Sequence, residues 1–231
     1  MTIRPMKPLL NSVEAVLFDL DGTLVETNID FPLMKREVVA LAVEAGMQAN
    51  DVQRLDILGV LARAADFLTN VGRPDEASRL VSRGLSILEE IELRHARGAK
   101  EIGHARDVLQ RLRDRAVRIG IVTRNCRAAS EISLGIAGIQ ADVLVCREDS
   151  NNHKPHPEPV LLALGALGAE PRNSIMVGDH IMDVQAGKAA GMKTIGFLRE
   201  DRPRDFFDDV APDIVVRDLQ EALGAIIGCD S

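Results

Sequence analysis

Acidic, hydroxyl and amino side chains follow the β-strands that the sequence predicts. They are, in chain order, Asp19, Asp21, Thr123, Lys154, Asp179 and Asp183. In an open α/β sheet, ligands bind beyond the carboxyl ends of the strands, so we expect these side chains to converge at one edge. Asp19 and Asp21 are two residues apart, and they would point the same way if the first strand continued through them.

This set of side chains has a chemical logic. Carboxylates gathered at one edge repel one another unless a cation is present, and hard oxygen ligands suit Mg²⁺, which keeps several waters and takes a substrate phosphate. A carboxylate can also attack phosphorus and form an aspartyl-phosphate. The phosphoryl group then needs positive charge and hydrogen-bond donors, which Lys154 and Thr123 would supply. The pattern therefore predicts a magnesium-dependent phosphoryl-transfer site.

The elements that must position these residues alternate between strand and helix. The predicted strands span residues 13–20, 117–123, 142–145, 174–177, 193–197 and 213–216. The predicted helices between and after them span residues 105–115, 128–136, 157–167, 183–190 and 219–227. This alternation predicts an α/β domain, a Rossmann-like parallel sheet with helices on both faces.

Residues 31–95 have a different pattern. Leu, Val, Ala and Met recur there at helical spacing, and there is no strand pattern. We therefore expect an all-helical unit that interrupts the α/β domain. The predicted boundaries are 1–27 and 104–231 for the α/β domain and 28–103 for the helical domain. The charged segment 199–212 is expected to be a surface loop or a short helix.

Composition bounds the function. The chain has 231 residues, 46% of them hydrophobic, and a formal net charge of −7. An acidic chain without a basic run is a poor candidate for binding nucleic acid. The sequence has neither a secretory h-region nor a stretch long and apolar enough to span a bilayer, which predicts no membrane partner and a cytoplasmic location.

The cysteines are three in number: Cys126, Cys146 and Cys229. This odd number and their spacing fit neither a zinc site nor a disulfide framework, so we expect them to be reduced thiols.

Four motifs occur in a defined order. They are FDLDGTLV at 18–25, IVTRN at 121–125, HKPHPEP at 153–159 and VGDHIMDVQAGKAAGMKTIG at 177–196. The series resembles the haloacid dehalogenase superfamily of aspartate-nucleophile hydrolases, and within it the phosphoglycolate phosphatase-like members. The first and fourth motifs are highly specific, whereas the other two gain force from their order. The helical unit falls where such members insert a cap that closes over the site and carries specificity.

The resemblance implies roles for the acids. Asp19 would be the nucleophile and a Mg²⁺ ligand. Asp21 would be the general acid and then the base that activates water, and its backbone carbonyl would bind the metal. Asp179 would bind Mg²⁺ directly or through water, and Asp183 would support it.

The resemblance also implies roles for the residues around the phosphate. Thr123 and Lys154 would hold the phosphoryl group, together with Arg124. Gly22 would let the chain turn sharply and bring backbone N–H groups to the phosphate. Further residues could contact substrate, although an ordinary surface or capping role explains each of them as well. These are Asn125, Lys35, Arg36 and Arg63.

Several functions share these motifs. The first hypothesis is a Mg²⁺-dependent phosphatase for a small phosphorylated metabolite, acting as a monomer or homodimer. A sugar phosphomutase is the alternative within the same superfamily. Asp21 argues against a dehalogenase, and no cap lysine stands out as the Schiff-base residue of a phosphonate hydrolase. A non-catalytic binding protein is disfavoured because every expected side chain is retained.

Overall fold

The computed structural model describes residues 8–228 of the chain, so Cys229 and the first seven residues lie outside the described residues. The strands are β1 (Ala15–Phe18), β2 (Val25–Glu26), β3 (Lys100–Glu101), β4 (Arg118–Val122), β5 (Val143–Val145), β6 (Ser174–Gly178), β7 (Lys193–Phe197) and β8 (Ile214–Val216). The α-helices are α1 (Phe31–Glu44), α2 (Ala49–Val52), α3 (Ile57–Asn70), α4 (Pro74–Ala96), α5 (Ala105–Arg113), α6 (Arg127–Ala137), α7 (Glu158–Leu167), α8 (Ile181–Ala189) and α9 (Leu219–Ile227).

Six of the strands form one parallel sheet in the order β5-β4-β1-β6-β7-β8. β1 lies in the middle, with β4 on one side and β6 on the other. The loops that leave β1, β4 and β6 therefore emerge beside one another at the carboxyl edge. The predicted α/β class and parallel sheet are confirmed.

Both faces of this sheet are buried, which explains the unbroken apolar runs in its strands. Val16 and Phe18 of β1 pack into a core with α5 and α9, whereas Ala15 and Leu17 pack into a second core with α7. Because side chains alternate along a strand, one short apolar segment serves both cores. This rigid centre carries the loops where the candidate catalytic residues lie.

Residues 28–96 form a second compact unit, and the residues before and after them form the first. The second unit is helical throughout, as the sequence predicts, and contains α1 to α4 around its own apolar core. Asp30 and Asp56 accept N–H groups at the starts of α1 and α3, which are favourable N-cap positions. Gly84 of α4 lets that helix approach α3 closely, since a Cβ there would lie 2.4 Å from Leu61 Cδ2.

The second boundary differs from the predicted one by seven residues, because the α/β unit resumes at Arg97 and not at residue 104. The reason is β3, whose two residues pair antiparallel with β2. A two-residue strand is too short to show a periodic sequence pattern, so the predicted helical domain includes it. The β2–β3 ribbon carries the chain out of the α/β unit and back into it.

The segment 199–212 forms turns and no regular helix. It is more than a surface loop, because Phe207 is buried and packs with Val184 of α8 and Leu198. Phe206 and His180 meet edge to face, with ring centroids 6.0 Å apart. Within residues 8–228 no helix combines the length and the apolar character needed to cross a membrane.

Candidate active site

Lys154 joins three segments of the α/β unit. Its Nζ lies 2.6 Å from Asp19 Oδ1 and 2.7 Å from Asp183 Oδ1, and it donates to the carbonyl of Val122 at 2.6 Å. The ammonium is almost fully buried, with 2% of its side chain exposed. Burial alone would lower the pKa of Lys154, but the two carboxylates raise it overall, so the amine stays charged.

Asp19 stands directly after β1, and its N–H donates to the carbonyl of Val177 in β6. Burial raises the pKa of Asp19 well above its ordinary value, and nearby Asp183 and Asp179 add to this, while Lys154 opposes it. Asp19 is thus a carboxylate in a dry, crowded and negatively charged site. Such an environment favours either a proton or a cation beside it.

Asp179 and Asp183 follow β6 at the start of α8. Asp183 Oδ2 accepts the N–H of His180 at 3.0 Å and Oδ1 faces Lys154, so both of its oxygens meet N–H donors. Asp179 Oδ1 lies 3.5 Å from the hydroxyl oxygen of Thr23, and the backbone N–H of Asp179 donates to the same Thr23 oxygen at 3.1 Å. The geometry suits Asp179 as a direct cation ligand and Asp183 as the residue that supports the site.

Carboxylate oxygens of Asp19, Asp179 and Asp183 lie within 4.8 Å of one another. Burial, together with the charge of Asp183, raises the pKa of Asp179 to about 7, while the charge of Arg199 opposes this increase. Three carboxylates, two of them buried and that of Asp19 largely so, face one ammonium group, that of Lys154. Their all-oxygen donor set fits a hard divalent cation such as Mg²⁺.

The side chain of Asp21 is held by residues other than those that hold Asp19. The hydroxyl of Thr27 donates to Asp21 Oδ1, and the amide of Asn125 donates to Oδ2. β1 ends at Phe18, so the alternation that would make both aspartates point the same way does not extend to Asp21. Asn125, predicted as a substrate contact, is buried and donates a hydrogen bond to Asp21, the predicted general acid.

Gly22 makes the sharp turn that the sequence predicts. Its φ is +85°, and a Cβ there would lie 2.3 Å from Asp179 Oδ2, so no other residue fits without moving the acid. Its own N–H donates to the carbonyl of Val25 at 2.8 Å, within the turn that leads to β2. This N–H therefore has a protein partner and is not presented to a phosphate in this structure.

Thr123 and Arg124 follow β4. Thr123 is buried, and its Oγ1 accepts the N–H of Asn125 at 3.2 Å, which leaves the hydroxyl hydrogen able to donate. Arg124 is half-buried and its guanidinium contacts the sulfur of Met182 on α8. Their roles as phosphate ligands stay predictions.

The three basic residues predicted as substrate contacts lie in the helical unit. Lys35 Nζ donates to the carbonyls of Val52, at 3.4 Å, and Leu55, so it binds the segment between α2 and α3. Burial lowers the pKa of Lys35 somewhat. Arg36 and Arg63 are exposed on α1 and α3. A structural role therefore accounts for Lys35, and substrate contact by the other two stays a prediction.

Three residues near the site were not predicted from the sequence: Thr23, Thr27 and Arg199. Arg199 donates to the carbonyl of Gly22 and pairs with Glu26. It follows β7 by two residues, so the rule that pointed to the ends of the first four strands would also have found it. Thr23 and Thr27 had no such signal, because a threonine in a turn is common.

A parallel sheet with buried carboxylates and one lysine at its carboxyl edge, interrupted after the first strand by a helical insertion, defines a class of α/β hydrolytic enzymes. The chain belongs to the haloacid dehalogenase-like hydrolase family, whose model matches residues 16–197. The family to which the four motifs pointed is thereby confirmed.

Individual relatives cover nearly the whole chain. Pyrophosphatase PpaX of Bacillus pumilus is 30% identical over 95% of this chain and 99% of its own. N-acetylmuramic acid 6-phosphate phosphatase of Pseudomonas putida is 31% identical over 94% of this chain and 99% of its own. The crystal structure of a predicted phosphoglycolate phosphatase from Haemophilus somnus matches with a TM-score of 0.61 at 19% identity, covering 91% of this chain and 96% of its own.

Proposed function

We propose that this protein is a Mg²⁺-dependent phosphatase that hydrolyses a small organic phosphomonoester through an aspartyl-phosphate on Asp19. One observation carries the proposal: Lys154 Nζ lies 2.6 Å from Asp19 Oδ1, and the carboxylates of Asp179 and Asp183 lie beside that of Asp19. A carboxylate nucleophile, a charged amine and a cation-binding acid cluster are the groups that phosphoryl transfer to an aspartate needs.

The relatives support phosphorus as the reacting centre. One is named a pyrophosphatase and the other a phosphatase of a sugar phosphate. The two names differ in the leaving group, an inorganic phosphate in the first and a sugar hydroxyl in the second. The site of the α/β unit supports the shared chemistry, and the leaving group is the variable that an experiment must decide.

The donor set fits Mg²⁺, with Asp19, Asp179 and the backbone carbonyl of Asp21 as the proposed ligands and Asp183 in support. When bound, the cation would offset the negative charge of the phosphoryl oxygens and of the acids. Side chains of the protein carry out all the other steps.

Asp19 attacks phosphorus, and the bond from phosphorus to the leaving oxygen breaks. Lys154 offsets the charge of Asp19 before the attack and the charge of the phosphoryl oxygens during it. Thr123 donates its hydroxyl hydrogen to the same group. The burial of Asp19 and Lys154 strengthens each of these interactions, because less water screens them.

Asp21 moves the protons. It protonates the leaving oxygen in the first half and removes a proton from the water that hydrolyses the aspartyl-phosphate in the second. Thr27 and Asn125 hold its two carboxylate oxygens, so they set where Asp21 stands at rest. A group that is held by two neutral donors can release them when a substrate oxygen offers a better partner.

The test is a Mg²⁺-dependent panel of phosphate esters that compares wild type with Asp19→Asn. The panel contains glycolate, sugar, nucleotide and amino-acid phosphates, together with pyrophosphate. Asp142→Asn serves as the matched control, because Asp142 accepts an N–H from Ile119 at the opposite end of β4. Turnover should vanish only in the Asp19 variant, and unchanged turnover there would refute the nucleophile.

The same panel separates a phosphatase from a sugar phosphomutase. A phosphatase releases one inorganic phosphate for each substrate consumed, whereas a mutase converts one sugar phosphate into another and releases almost none. Full activity in EDTA would refute the metal requirement. A small-metabolite substrate, a cytoplasmic location and a monomeric or dimeric state stay predictions.

A further inference from the structure

Arg199 links three segments around the candidate cation site. Its Nη2 lies 2.5 Å from Glu26 Oε2 on β2, and its Nη1 donates to the carbonyl of Gly22 at 3.3 Å. Its Nε faces Asp179 Oδ2 at 4.0 Å. The guanidinium thus uses one terminal nitrogen on the turn after β1 and the other on β2, and its distance to Asp179 is too long for a hydrogen bond.

The distance from Arg199 to Asp179 has a consequence. Arginine forms its strongest pairs with carboxylates through two parallel N–H···O bonds. At 4.0 Å the guanidinium offsets the charge of Asp179 without occupying its oxygens. A bidentate pair with Asp179 would instead compete directly with a divalent cation for those same oxygens.

Glu26 is the acid nearest to the guanidinium of Arg199. It is the direct ionic partner of Arg199, and the side chains of Arg199 and Glu26 are only 24% and 35% exposed, so water screens this pair incompletely. Asp201 is a third acid near the guanidinium, 3.4 Å from Nε, but its side chain is 66% exposed. A well-exposed partner holds an arginine weakly.

We infer that the ion pair between Glu26 and Arg199 is a positioning device that keeps Arg199 off Asp179 and so keeps Asp179 available to a divalent cation. The inference rests on the proposed function, because it takes Asp179 to be a cation ligand. It assigns roles to two residues that lie outside the chemistry itself. Arg199 contacts neither the proposed nucleophile nor the proposed acid, and acts through Gly22 and Asp179.

The inference predicts opposite effects for single and double substitutions. In Glu26→Gln the guanidinium loses its charged partner and turns to Asp179, so cation binding has to break a new pair. We expect the Kd for Mn²⁺ to rise about tenfold. In the double variant with Arg199→Gln no guanidinium remains to compete, and the Kd should return to within about threefold of wild type.

The experiment measures the binding of Mn²⁺ to the full-length protein without substrate. Electron paramagnetic resonance detects the free ion and so gives the bound fraction. Glu101→Gln is the matched control, because Glu101 lies on the partner strand β3 and pairs with a different arginine, Arg106, at 2.8 Å. This control should bind Mn²⁺ like wild type. Competition with Mg²⁺ then shows that both ions use one site.

Each outcome decides the inference. An unchanged Kd in Glu26→Gln overturns it, and so does a double variant as weak as the single one, since damage to the β2–β3 ribbon would not be rescued by removing Arg199. A wild-type protein that binds no Mn²⁺ would overturn the cation site and the inference together. Mn²⁺ binding is measured without turnover, so a failed Asp19→Asn test would leave this result standing.

Discussion

The ion pairs given for the two units of the molecule differ in their exposure to solvent. The α/β unit buries Asp19, Lys154 and Asp183 against one another. The helical unit keeps ion pairs such as Arg83–Glu44 at the surface, where 62% and 59% of the two side chains are exposed. Burying charges costs free energy that burying apolar groups does not, and clusters of buried charges are common at functional sites. This difference supports the proposal that the chemistry takes place in the α/β unit.

The largest expected effect concerns proton transfer in the α/β unit. Asp21→Asn keeps the size of the side chain but cannot exchange a proton, and its amide nitrogen would donate where one Asp21 oxygen now accepts from Thr27 or Asn125. We expect turnover to fall by about 10²–10⁴-fold, the usual contribution of general acid–base catalysis. Inhibition by inorganic phosphate should change little, because binding of the phosphoryl group uses other residues. Equal losses of turnover and of phosphate binding would contradict the role of Asp21.

Lys154→Met removes the buried counter-charge of two acids. Turnover should fall by about 10²–10³-fold, as when one oxyanion donor is lost. The free energy of unfolding in EDTA at pH 8 should fall by about 3–5 kcal/mol, because Asp19 and Asp183 lose their partner. Lys193→Met is the control: its pair with Asp213 is partly exposed, at 44% and 23% of the two side chains, and the loss should stay within about 1 kcal/mol. Similar losses in both variants would abolish the contrast between buried and exposed charge.

The raised pKa of Asp179 links stability to pH. Because the folded state holds this proton up to about pH 7 while the unfolded chain releases it near its ordinary value of 3.8, the stabilisation is present at low pH and is lost as the pH rises through 7. In EDTA, the difference in unfolding free energy between wild type and Asp179→Asn should therefore fall by up to about 4 kcal/mol from pH 4 to pH 8.

The check on this pH dependence is urea unfolding of both proteins across that range. Saturating Mg²⁺ should shrink the effect, because a bound cation stabilises the carboxylate. A difference that rises with pH in EDTA would contradict the raised pKa.

The smallest effect tests the helical unit, where shape matters more than charge. Gly84→Ala puts a methyl group into the contact between α3 and α4, and we expect a loss of about 1–3 kcal/mol in the free energy of unfolding. Gly135→Ala on α6 is the matched control, because its Cβ would meet nothing within 4 Å and should stabilise by about 0.5–1 kcal/mol. A Gly84 variant as stable as wild type would show a loosely packed helical core.

The sequence by itself determined the architecture of the α/β unit and the identity of its chemical groups. β7 and α9 lie where the apolar patterns predicted them, residue for residue. This was possible because strands and helices follow local periodicity, and because the carboxyl-edge rule turns strand order into a list of neighbours. Lys154 and Asp19 are 135 residues apart, yet both were expected at one edge.

Only the tertiary structure decided which partner each group takes. In the folded protein the N–H of Gly22 donates to the carbonyl of Val25, and the amide of Asn125 donates to the carboxylate of Asp21. The amine of Lys35 donates to the carbonyl of Leu55, between α2 and α3. The tertiary structure also brought Arg199 between Glu26 and Asp179. A difference of a few tenths of an ångström in the distance between two groups decides whether a hydrogen bond forms, and no local sequence pattern encodes such distances between segments far apart in sequence.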